Sequence, residues 1–471
     1  MSFTRLIIAL TVACIVAAPA GASFDDDFTG NTLRIDYYHS GTAAEEHVSL
    51  DRLRVEGVWA GSRAQLIDPS HLGQYLVEVT DADTGRPLYS RGFSSIYGEW
   101  RTIAEARAGV WRTFPEAVRV PEPRRPIEVR LSRRDENLAF QEMWHTKIDP
   151  ASHYVERPEA PVGDVIELMN CGPVESKVDI VILGDGYAAD ERDKFHTDAR
   201  RACESIFIRE PFTARRLDFN VRAVFTPARE SGVTHPRKGQ FRNSPLGVKS
   251  NIFDTDRYAL TFADRAWRDA AAAVPYDFTI ILINGPVQVG GGIHNLYAIT
   301  ASDSPEMAFL TAHEFGHHFA GLADEYYVGS VAYEVPTDNI PEPWEPNVTA
   351  MRDPAKLKWK DLVDPDTPLP TPWKKTQFEQ GFEAWLRGEN LKADGVVKTS
   401  SNPRPTRRDW YDSIFTQDPY AGKVGAFEGA MYSPRGLYRP CLDCIMHTWS
   451  ASEFCPVCRR AIERAIDLYT H

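Results

Sequence analysis

Apolar and polar positions alternate with a period of two in short runs along the first third of the chain, at Leu33–Tyr38, Tyr75–Val79 and Ile127–Leu131. Residues two apart on a strand share a face, so each run predicts a strand with one buried and one wetted side. Turn-forming stretches separate the runs, among them Asp81-Ala82-Asp83-Thr84-Gly85, and the pattern predicts a β-sandwich over residues 23–161. His39, His47 and His71 are scattered through it and read as packing or surface residues, so no catalytic constellation is expected there. The proline-rich Arg157–Pro161 reads as a linker.

Beyond Val165 the periodicity changes. Val178–Leu183 and Phe278–Ile283 are apolar on both faces, interrupted only by Asp179 and Thr279, as strands covered on both faces require. Phe219–Phe225 predicts a further strand, and Ala189–Ile208 and Ala259–Ala273 predict helices. Alternating strands and helices imply a mainly parallel sheet, so residues 162–471 are expected to form an α/β domain. Gly290-Gly291-Gly292 matches neither a dinucleotide fingerprint nor a P-loop; it predicts a flexible lead-in to an edge strand open to an extended peptide. Residues 328–425 lack periodicity, are rich in Pro and Trp, and suit the walls of a substrate cleft. Within them Asn347-Val348-Thr349 is formally a glycosylation acceptor.

One predicted helix carries chemistry. Thr311–Tyr327 reads TAHEFGHHFAGLADEYY and contains H-E-x-x-H at His313, Glu314 and His317. Imidazoles four residues apart lie on one helix face, a turn from each other, and can reach one metal ion. Glu314 beside the first ligand is placed to take a proton from a water on that metal. Ser304-Pro305 reads as the start of this helix and Gly321 as its left-handed stop. His318 cannot replace His317, because five residues from His313 is about 140° around the helix. After the stop come Asp324, the expected third ligand, and Glu325, the runner-up.

Charge and targeting narrow the partners. Lys+Arg of 53 against Asp+Glu of 66 leaves −13, which supplies no basic groove and argues against nucleic acid. Residues 1–22 read as a cleavable signal peptide: Arg5, the apolar Leu6–Val16, then Ala20-Gly21-Ala22. The apolar run is too short to span a membrane, Cys14 lies inside it, and the protein is expected to be secreted or periplasmic. Six cysteines would remain, four of them as Cys441-x-x-Cys444 and Cys455-x-x-Cys458. Export favours disulfides cross-linking the two pairs; a Zn(Cys)₄ site is the alternative.

HEFGHHFAGLADEYY, Gly425–Pro440 (GAFEGAMYSPRGLYRP), Cys444-Ile445-Met446 and FCPVCRRAI (Phe454–Ile462) together resemble the IgA-peptidase family of secreted bacterial zinc metalloproteases. The resemblance covers roughly Gly172 to the C-terminus, and the β-rich part is similar in placement to the domain that precedes the catalytic domain in that family. It implies a metzincin-like catalytic domain with one catalytic zinc, and Cys444-Ile445-Met446-His447 looks like the methionine turn beneath such a metal. The glycine departs from the familiar spacing: Gly321 is four residues after His317 instead of three, although Gly321-x-x-Asp324 keeps the usual interval.

The expected activity is endopeptidase hydrolysis of a protein or peptide substrate, with Glu314 as general base and Tyr432 or Tyr438 as a candidate for stabilising the oxyanion. Two other classes stay open: a zinc peptidase whose third ligand is a Glu on a later helix, and a non-enzymatic exported binding protein with a structural metal.

Overall fold

The computed structural model describes residues 23–470 apart from 160, 162, 288–289, 329–330, 332–339, 387–389, 393–394, 398–410, 412–413 and 450. The leader expected over residues 1–22 lies outside them. Among the described residues no helix is long and apolar enough to cross a membrane.

Two four-stranded sheets are built from the first part of the chain. In one, β1 (Phe28–Gly41) lies between β2 (Glu46–Val58) and β5 (Arg112–Pro123), with β8 (Val155–Glu156) beside β2. In the other, β3 (Tyr75–Asp81) lies between β4 (Pro87–Phe93) and β6 (Ile127–Arg134), with β7 (Phe140–Ile148) outermost. The period-two pattern has a direct cause here. Tyr75, Val77, Val79, Ile127, Val129 and Leu131 point inward and meet Leu33, Ile35 and Tyr37 of the facing sheet in one core.

A six-stranded sheet follows, in the order β15-β16-β14-β10-β11-β9. Its centre is parallel: β10 (Val178–Asp185) pairs with β11 (Phe219–Phe225) and β14 (Phe278–Ile283), and β14 pairs with β16 (Tyr297–Ala301). Antiparallel strands close both edges, β9 (Asp164–Met169) and β15 (Gly290–Ile293). All eight positions of β10 are buried, which explains why its apolar residues fall on both faces, with Asp179 and Asp185 the buried exceptions. Val178, Ile180 and Ile182 join a core with helices Arg192–Phe207, Met307–Ala320 and Pro456–Thr470; Val181 and Leu183 face the opposite core with helix Asp264–Ala271.

That second core also takes Ile96, Tyr97, Trp100 and Phe114 from the N-terminal part. Arg34, fully buried, meets Asp36, Glu56 and, across the junction, Asp269. Arg268 Nη2 donates back to the Ala117 carbonyl (2.9 Å). The two parts of the chain therefore pack as one body at this face.

The run 259–273, predicted to be helical throughout, is helical only over Asp264–Ala271. Ala259–Leu260 instead form β13 against β12 (Lys249–Ser250). Pairing and burial override a weak helical preference there.

Candidate active site

The helix Met307–Ala320 starts where Ser304 Oγ accepts the Glu306 N–H (3.2 Å), two residues past the proline that the sequence places at its first position. It ends at Gly321, which sits at φ +60° and returns its N–H to the His317 carbonyl (3.1 Å). A Cβ at Gly321 would stand 2.8 Å from the Trp344 ring, so the reversal needs glycine for space as well as for conformation.

The reversal brings three side chains together. His313 Nε2 and His317 Nε2 are 3.2 Å apart, and Asp324 Oδ1 lies 3.1 and 3.2 Å from them. His313 Nδ1 donates to the Ile445 carbonyl (3.0 Å) and His317 Nδ1 to the Leu322 carbonyl (2.5 Å). With the ring protons spent on carbonyls, both Nε2 lone pairs face the carboxylate oxygen. Asp324 Oδ1 is correspondingly a buried acceptor with no hydrogen-bond donor. Three lone pairs converging on one point is the arrangement a cation resolves: tetrahedral zinc with bonds of about 2.0–2.2 Å separates such ligands by roughly 3.3–3.6 Å. The electrostatics agree. Against burial, Asp324 pushes His317 up to about 9, and the imidazoles hold the Asp324 carboxyl far below its ordinary range, so the pocket favours added positive charge. His313, His317 and Asp324 fit a metal ion.

The loop that carries Asp324 is clamped on every side. Asn347, fully buried, accepts the Ala323 N–H (2.7 Å) and donates to the Ala323 carbonyl and to Glu325 Oε1 (both 3.0 Å). The formal glycosylation acceptor is therefore an internal strut, and its amide is not available to a glycan in the folded chain. Glu325 N–H donates to the Met446 carbonyl (2.7 Å), while its side chain turns away from the imidazoles towards Cys455 and Cys458. Ile445–His447 form a turn, and Met446, fully buried beneath the helix, would put its sulfur 3.0 Å from a Cβ at Gly316. One turn thus holds the His313 ring through Ile445 and the loop that carries Asp324 through Met446.

The two candidate tyrosines separate. Tyr432 lines the cleft and donates its hydroxyl to Asp324 Oδ2 (2.6 Å); it also meets the Tyr326 hydroxyl (2.9 Å), which accepts from Arg257 Nη1 (2.8 Å). It orients the Asp324 carboxylate. Tyr438 is not brought to the site: it lies in the strand Ser433–Arg439, bridged to Thr349, and does not line the cleft. The expectation of an oxyanion role for Tyr438 is corrected on that ground.

Glu314 is half-buried at the cleft wall, and burial raises its pKa above the ordinary 4.5. The glycine triplet explains itself here. A Cβ at Gly290 would lie 2.3 Å from Glu314 Oε1, one at Gly291 2.8 Å from Leu260, and one at Gly292 2.3 Å from the Glu314 carbonyl. The Gly290 N–H is already taken by the Arg257 carbonyl (3.2 Å). Close packing of β15 between the helix and residues 257–260, not flexibility, is what these glycines serve. Gly290→Ala is expected to fold, since the displaced atom ends a flexible side chain, yet to lower kcat by about 10²-fold by moving the carboxylate. Metal analysis alongside kinetics checks this; an unchanged kcat at full metal content would contradict it.

The cleft measures about 650 Å³. Its walls include Trp344, Glu345, Phe378, Phe382 and Tyr411 from the aperiodic segment and Gln74, Ser94, Glu99 and Thr102 from the N-terminal part. Burial, then Glu345, pushes Glu99 up to about 7. Nothing in the local sequence marks Glu99. It arrives because Ser94 N–H donates to the His294 carbonyl (2.9 Å) and Asn295 to the Gly92 carbonyl (2.7 Å), docking the N-terminal part beside the helix Met307–Ala320.

His318 points into the protein. Its Nδ1 donates to the Ile293 carbonyl (3.0 Å), its Nε2 accepts the Thr279 N–H (3.2 Å), and burial pushes it down to about 3 from an ordinary 6.5. The folded state thus keeps it neutral where the unfolded chain binds a proton, so stability is shed as pH falls from 6.5 towards 3. By about pH 5 this one group accounts for about 2 kcal/mol. Urea unfolding at neutral pH and near pH 5 is expected to show that much less pH dependence in His318→Gln than in wild type.

The expected disulfides do not form. Cys171, Cys203, Cys441, Cys444, Cys455 and Cys458 are all free, with Cys444 Sγ and Cys458 Sγ 3.8 Å apart, well beyond an S–S bond of about 2.05 Å.

A family model described as IgA Peptidase M64 matches residues 166–466, and one described as Peptidase M64 N-terminus matches residues 23–145. No curated protein matches the chain.

Proposed function

Because the chain belongs to the IgA peptidase M64 family and is therefore a peptidase, we propose that it is a zinc-dependent endopeptidase with Glu314 as general base. The observation that carries this reading is the convergence of His313 Nε2, His317 Nε2 and Asp324 Oδ1 within 3.1–3.2 Å at the floor of a cleft.

His313, His317 and Asp324 would hold a zinc ion, which would supply Lewis acidity and make a water at the site more acidic. The chain's own residues do the rest. The Ile445 and Leu322 carbonyls hold the imidazoles in the tautomer that presents Nε2. Tyr432, backed by Tyr326 and Arg257, fixes the second Asp324 oxygen so that the first faces the rings. Glu314, walled in by Gly290, accepts the proton of the attacking water and returns it to the leaving amine. The sequence of helix, glycine, aspartate and methionine turn supports a metzincin-like assignment for the domain. Aromatic walls with Glu99 and Glu345 between them suit an extended peptide.

Dialysis against a zinc chelator is expected to abolish hydrolysis of a quenched-fluorescence peptide library, and zinc readdition to restore it. Undiminished hydrolysis by metal-free protein would overturn the proposal.

A further inference from the structure

We propose that Glu325, Cys444, Cys455 and Cys458 form a second metal site, for a tetrahedral divalent cation of the zinc class, distinct from the His313–His317–Asp324 site. One donor atom from each of these four buried residues lies within 4.8 Å of the others. Cys444 Sγ and Cys458 Sγ are 3.8 Å apart. Two sulfurs each about 2.3 Å from a tetrahedral zinc are separated by roughly 3.8 Å. Glu325 Oε1 lies 3.1 Å from Cys458 Sγ and 3.8 Å from Cys455 Sγ, either side of the roughly 3.5 Å expected between a zinc-bound oxygen and sulfur.

The surroundings point to thiolates and a cation. Glu325 has no exposed surface, and its Oε2 has no hydrogen-bond partner. A buried carboxylate oxygen left unpaired is costly unless something positive meets it. Two backbone N–H groups aim at one sulfur: Cys455 N (3.2 Å) and Met446 N (3.5 Å) both donate to Cys444 Sγ. A neutral thiol is a weak acceptor, whereas a thiolate rewards two donors. Cys455 immediately precedes the helix Pro456–Thr470 and Cys458 lies in its first turn, where the positive end of the helix favours thiolate. Cys441 is buried nearby but contributes no atom to the set of four.

The ligands come from three separate segments: the loop after the metal-binding helix, the methionine turn and the last helix. An ion there ties together the two pieces that hold His313 and Asp324 in place, since Ile445 and Met446 follow Cys444 and Glu325 follows Asp324. The site is a brace, and the inference stands apart from the peptidase mechanism.

Cobalt(II) is the probe. The full chain, purified under a non-thiol reductant and reconstituted with cobalt, is expected to bind two ions and to show a near-ultraviolet thiolate-to-cobalt charge-transfer band. In His313→Ala/His317→Ala the stoichiometry should fall to one with the band intact; in Cys458→Ser the band should be lost or strongly weakened. A wild-type protein binding one cobalt with no such band overturns the proposal, as does a band lost in the double-histidine variant. Should Cys458→Ser fail to fold, the wild-type and double-histidine spectra decide the matter without it. Failure of the peptidase reading would show in hydrolysis assays and leave these spectra untouched.

Discussion

Glu314→Ala is expected to keep the metal at His313, His317 and Asp324 while losing hydrolysis by about 10²–10⁴-fold, the range that a positioned general base supplies. Metal retention follows from geometry, because the three converging atoms belong to other residues and the Glu314 carboxylate lies towards Gly290. The loss follows from burial in the same wall. A carboxylate whose pKa is raised above 4.5 is a stronger base than one in water, and its neighbours hold it beside the cleft. The sign in pH is also determined. A base must be ionised, so kcat/KM should fall as pH drops through the raised pKa of Glu314, and the residual rate of Glu314→Ala should lack that acid limb. Atomic absorption with steady-state kinetics across pH reads both. If zinc disappears together with activity, Glu314 is a ligand and the assignment of roles is wrong.

Asp324→Ala should reduce metal affinity at the histidine site far more than the about 10–100-fold that loss of a supporting hydrogen bond costs. Glu325→Ala should stay within that range at the same site. The two carboxylates are adjacent in sequence and face different places: Asp324 Oδ1 towards the imidazoles, Glu325 Oε1 towards Cys455 and Cys458. Tyr432→Phe, which frees Asp324 Oδ2, is expected to fall in the 10–100-fold range too. Cobalt titration against a competing chelator in a Cys458→Ser background, which removes the cysteine site, reads the histidine site alone. Loss of binding there in Glu325→Ala with retention in Asp324→Ala would reverse the assignment.

Sequence alone determined whatever depends on a local repeat. Period two in β3 and β6 and the apolar residues on both faces of β10 follow from strand geometry, and His313 and His317 share a face because 3.6 residues make a turn. Gly321 ends the helix for a reason confined to its own backbone, a left-handed φ. The tertiary structure alone decided whatever depends on which distant segments meet. Tyr432 reaches Asp324 across 108 positions and Glu325 meets Cys458 across 133. Glu99 comes to the cleft on a short helix of the N-terminal part, Ile96–Trp100, and the glycine triplet is explained by Glu314 and Leu260 packed against it. Asp324 and Glu325 have the same chemistry one residue apart, and no periodicity distinguishes them. Their side chains part because the chain, clamped by Asn347, Met431 and Met446, leaves one facing the histidines and the other facing the cysteines.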